Sequence, residues 1–88
     1  MNNKNIHIAL ISPPGDTIQE TMEVQGVDIP QLAESLQLDE NEIDALIRGE
    51  IAIDKILAHR LAESLGIPAT FWINREAEYQ KELKQHTA

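Results

Sequence analysis

Two short segments with the same start signal, set one after the other, constrain this chain more than any other feature. Asp28 is followed three residues later by Gln31, and Asp39 three residues later by Glu42. An Asp at a helix N-cap with Gln or Glu at the third helical position forms a reciprocal pair of hydrogen bonds that satisfies free amides. Behind each start lies an apolar stripe at helical spacing: Leu32, Ala33 and Leu36 in the first, Ile43, Leu46 and Ile47 in the second. Leu38 falls between them, where a buried residue pins a tight turn. The stretch from Val27 to Glu50 therefore reads as a helix-turn-helix.

The flanking chain supplies further helices. Pro13 is held out of the helical region by the proline that follows it, and Pro14 suits a first helical turn. A helix is expected from there to Gln25, with Asp16 at its positive end, Ile18 and Met22 facing the core, and Gly26 as terminator. After the helix-turn-helix, closed by Arg48 and Gly49, Asp54 caps a fourth helix. Ile53, Leu57, Ala58, Leu61, Ala62 and Leu65 fill one wide face of that segment, and Gly66 ends it. Thr70 is expected to cap a fifth helix from Phe71 to about Lys84. Phe71, Trp72 and Ile73 in its first turn are expected to complete the core. Farther along, Tyr79 and Leu83 suit either the core or the surface of a second copy. Residues 1–11 read as an arm whose Ile6 to Ile11 segment alternates as an extended strand does, lying on the helical core or pairing with a partner's strand. The fold class is all-α, with an arm over 1–11 and one domain over 12–88.

Composition narrows the chemistry. The chain of 88 residues has no cysteine, which removes disulfides, thiolate metal sites and a cysteine nucleophile. His7, His59 and His86 lie far apart; His59 and Glu63 share a helix face, but two ligands do not make a site. Each glycine falls at a helix boundary, so no phosphate loop forms. No segment is long enough to span a bilayer and Ile6–Ile11 is too short for a signal core, so a cytoplasmic protein is expected, with no cofactor, no metal and no enzymatic activity.

Charge sets the functional question. The net charge is -8, from 7 basic and 15 acidic residues. From Asp39 to Glu50 there are five acids and one base, Arg48. Nucleic-acid binders generally carry a basic face that neutralises phosphates.

The ordered set of motifs closely resembles the HigA/VapI-type antitoxins, a branch of the lambda-repressor-like (XRE) helix-turn-helix family. The residues that carry it are Ser12-Pro13-Pro14-Gly15-Asp16, the Val27–Gly49 helix pair, Ile53-Asp54, Arg60-Leu61-Ala62, the Leu65-Gly66-Ile67-Pro68-Ala69-Thr70-Phe71-Trp72 junction and Tyr79. It covers roughly Ser12 to Gln85. The resemblance implies a five-helix lambda-repressor-like domain that dimerises and binds a palindromic operator upstream of its own operon. It also implies a partner toxin of the HigB/RelE type. The positions matching the family's DNA-contacting surface are Asn41, Glu42, Asp44, Ala45 and Arg48, with Lys55 as a phosphate contact; Tyr79 and Leu83 are the dimer candidates. Two departures stand out: Ile29 where relatives carry glutamine at the start of helix 2, and Gln37 where they carry glycine. Two other readings stay open: a protein-interaction module whose acidic helix 3 has lost ordinary DNA binding, and, because the same module occurs fused to ImmA/IrrE-like metallopeptidases, the amino-terminal part of a larger peptidase.

Overall fold

The computed structural model describes residues 11–87. Apart from Ile11, which is in no regular element, the arm expected over 1–11 lies outside the described residues. Among those described there are five helices and no strand: α1 (Pro14–Gln25), α2 (Ile29–Leu36), α3 (Glu40–Ile47), α4 (Lys55–Leu65) and α5 (Ala69–Thr87). The all-α reading holds.

The helix starts follow the local chemistry. At Asp28 the side chain accepts from the Gln31 amide at 2.9 Å while the Asp28 amide donates to the Gln31 side chain at 2.9 Å. At Asp39 the corresponding bonds to Glu42 are 2.8 and 3.0 Å. Asp54 accepts from the Leu57 amide at 2.8 Å, capping α4. The last helix departs from expectation. Its first turn begins at Ala69, with the Phe71 amide donating to the Pro68 carbonyl at 3.0 Å, so Thr70 lies inside the helix and does not cap it. The helix also runs on to Thr87, beyond the expected end at about Lys84.

A single core joins the helices. Ile18 and Met22 from α1, Leu32, Ala33 and Leu36 from α2, Ile43 and Leu46 from α3, and Trp72 from α5 form one buried cluster with Leu57, Ala58, Leu61 and Leu65 of α4. The ring of Trp72 is completely buried, with Phe71 edge-on at 5.0 Å, whereas Phe71 itself is 40% exposed. Only one of the two rings is thus a true core residue. The Trp72 indole N–H finds no acceptor among the described residues, a cost set against the large burial of its ring. Helix α1 packs on α3, α4 and α5, and α4 packs on α1, α2 and α5, so the helix-turn-helix is held from both sides.

Close approach and long-range polar ties fix that arrangement. Gly15, at the start of α1, lies directly on the Ile47 backbone at the end of α3, where any Cβ would collide. Arg75 of α5 donates to the Ser12 carbonyl at 2.9 Å, the Ser12 hydroxyl at 2.7 Å and the Pro13 carbonyl at 3.1 Å, tying the entry segment to the last helix. The Gln25 side-chain amide donates through Nε2 to the Leu65 carbonyl at 2.7 Å, joining the end of α1 to the end of α4.

Candidate nucleic-acid interface

Helix α3 turns its apolar residues Ile43 and Leu46 into the core and leaves the opposite face in solvent. With 3.6 residues per turn, that outward face consists of Asn41, Asp44, Ala45 and Arg48 at i, i+3, i+4 and i+7. Asn41, Asp44 and Arg48 are exposed and Ala45 is half-buried. Glu40 and Glu42 border the two edges, both exposed. The candidates drawn from the sequence are therefore brought together on one surface, except for Lys55, which stands exposed at the first position of α4.

The turn into α3 has the three-residue form of a compact helix-turn-helix. Gln37 is in the left-handed region (φ 58°, ψ 42°), and its amide is bonded back to the α2 carbonyls of Ala33 and Glu34. The Leu38 amide also donates to the Ala33 carbonyl, at 3.0 Å. The turn thus takes its left-handed residue without a glycine, and the strain falls on Gln37 itself. Arg60 of α4 closes the same end by donating to the Leu36 carbonyl at 3.2 Å.

Electrostatically the face is acidic, and its base is already engaged. The Arg48 guanidinium donates to Glu50 through Nε at 3.1 Å and a terminal nitrogen at 3.3 Å. This bidentate pair holds the Glu50 carboxyl below, and the Arg48 guanidinium above, their ordinary values, the hydrogen bond contributing more than the bare charge. Both side chains are more than half exposed, so water and salt weaken the pair and a stronger anion can compete for Arg48. Glu42 has one oxygen committed to the capping bond with the Asp39 amide.

The dimer candidates differ from the α3 set. Tyr79 and Leu83 are both half-buried against their own chain. A side chain at Gly49 would meet Pro13 and crowd the Tyr79 hydroxyl, which places the Tyr79 ring end beside the entry segment.

Two polar residues important to this site were not singled out in the sequence. Glu76, buried at 8% exposure, accepts from the Ile53 amide at 2.9 Å and from the Gln80 side chain at 2.6 Å. It anchors the link between α3 and α4 to the last helix. Arg75 is the other, through its bonds to Ser12 and Pro13. Among the described residues no cluster of three or more His, Asp or Glu is placed to hold a metal ion, and no helix is long and apolar enough to cross a membrane. No family model matches the chain, and no curated protein matches it.

Proposed function

We propose that the protein is a regulator of the HigA-like antitoxin class, which as a homodimer sets α3 in the major groove of operator DNA and neutralises a partner toxin of the HigB/RelE type in the cytoplasm. The observation that carries this reading is the α2–turn–α3 unit, packed from behind by α1 and α4, with Asn41, Asp44, Ala45 and Arg48 projecting from one exposed face of α3. The ordered sequence motifs supply the expected class, DNA and toxin. In this reading Asn41 reads a base edge, Asp44 accepts from a cytosine amino group, and Lys55 meets a phosphate. Arg48 exchanges Glu50 for a phosphate when DNA arrives.

That exchange is the testable step. In a fluorescence anisotropy titration against the duplex upstream of the gene, at two salt concentrations, the Glu50→Gln protein binds more tightly than the parent. Its log-log salt slope stays close to the parent's, because Arg48 meets the same phosphate in both complexes and only the cost of leaving Glu50 is removed. Absence of binding by the parent at low salt sinks the operator reading.

The engaged state of Arg48, with Glu40, Glu42 and Asp44 exposed on the same helix, favours a second reading in which the α3 face binds a basic protein surface instead of DNA. Asp44→Lys then weakens capture of the neighbouring gene product and leaves the helix content unchanged. A partner affinity indifferent to Asp44→Lys removes α3 as that interface.

A further inference from the structure

On the side of the molecule formed by α1, an apolar groove of about 410 Å³ opens between that helix and the helix-turn-helix. Its floor is Met22, Val27, Ile29 and Ile47, and its polar lining is Gln19, Glu23 and Asp28, with no basic residue. Nothing in the proposed DNA contact uses it.

The rim is organised. Helix α1 contains no Lys, Arg or His, and Asp16, Glu20 and Glu23 recur along it at i, i+4 and i+7, all exposed. Glu23 lines the groove directly, whereas Asp16 and Glu20 lie outside its lining, on the exposed surface of the same helix. At 1.5 Å per residue the three carboxylates span about 10 Å of axis, the same repeat that Lys or Arg at i, i+4 and i+7 present on another helix. An apolar floor beside a carboxylate row of helical pitch is complementary to an amphipathic helix carrying apolar anchors flanked by bases. An acidic segment is repelled along the whole row, and a neutral one leaves those carboxylates partly desolvated without compensation. The same argument disfavours a second copy of this face, which would set two acidic rows together.

We propose that the groove between α1 and the helix-turn-helix is a docking site for a basic amphipathic helix of a protein partner, with its apolar residues seated on Met22, Val27, Ile29 and Ile47 and its Lys and Arg side chains along Asp16, Glu20 and Glu23. The site is separate from the outward face of α3, so it stands whether or not that face binds DNA.

The test uses the full chain, isotopically labelled, titrated with two synthetic amphipathic helices that share a Leu stripe and differ in having Lys or Glu flanks. The Lys peptide is expected to bind saturably, shifting amide resonances of Gln19, Glu23, Val27 and Ile29 and leaving Asn41 and Asp44 unmoved. Gln19→Lys combined with Glu23→Lys changes two exposed helical positions that make no side-chain hydrogen bond among the described residues, so the fold is retained, as circular dichroism verifies. The pair weakens the Lys peptide by about tenfold or more. Equal binding of the Glu peptide, shifts confined to α3, or an affinity unchanged in the double variant would overturn the proposal. So would contacts from residues 1–10, or from a second copy, into the groove of the protein alone, since the site would then already be filled.

Discussion

Gln37 holds φ at 58°, a region in which a side chain bearing a Cβ crowds the backbone by about 1–2 kcal/mol. Glycine enters that region freely but has more freedom to lose from the unfolded chain, so only part of the strain is recovered on substitution. Gln37→Gly is expected to stabilise the protein by about 1 kcal/mol, read as a higher urea midpoint at unchanged slope. A lower midpoint would mean that the exposed Gln37 side chain contributes contacts outweighing the strain. Residue-scale geometry also explains why Arg48 and Glu50 meet. Residues two apart on a helix point in different directions, and these two converge because Gly49, at φ 81°, breaks the helix between them. The presence of both residues is legible in the sequence. Their pairing is not, since it depends on how the chain turns at Gly49.

Among the elements, the short helices were the most legible, because an N-cap and the acceptor three residues on are read within four consecutive positions. The starts of α2 and α3 fall at the Asp28 and Asp39 caps for that reason, and that of α4 at Asp54, whose own side chain caps it. Thr70 is also a capping residue type but is pre-empted: the Pro68 carbonyl accepts from Phe71 and the helix begins two residues earlier than a Thr70 cap would allow. The contacts that place the helices against one another were illegible, since Gly15 on Ile47 and Arg75 on Ser12 join segments far apart in sequence. So were the roles of Arg75 and Glu76, which read as ordinary charges on a helix surface until α5 was packed. Helices of eight residues are marginal on their own, so α3 leans on its cap as well as on Ile43 and Leu46. Asp39→Ala is expected to cost about 1 kcal/mol and to raise hydrogen exchange in the first turn of α3 above that of α4. Equal exchange in both helices would show that packing alone holds the start of α3.

At the scale of the whole molecule, the exposed face of α3 is steady only if the chain leaving it is steady, and that chain is fastened from α5. Residues between α3 and α4 make no ladder of their own; the buried Ile53 amide donates to Glu76 instead, and Gln80 donates to the other oxygen of that side chain. Loss of the acceptor leaves a buried N–H without a partner, whereas a glutamine at the same position keeps an oxygen for Ile53 and lets the Gln80 amide rotate to supply its own oxygen. Glu76→Ala is therefore expected to destabilise by about 1–3 kcal/mol and Glu76→Gln by well under that, in urea unfolding. The Ile53 amide should exchange faster in the alanine variant and remain protected in the glutamine variant. If DNA binding by α3 depends on this brace, operator affinity in anisotropy should fall with Glu76→Ala and recover with Glu76→Gln, although neither residue reaches the α3 surface. Equal destabilisation by the two substitutions would assign the role to the charge of Glu76, which both remove, and the brace from α5 to the exit of α3 would not exist in the form described.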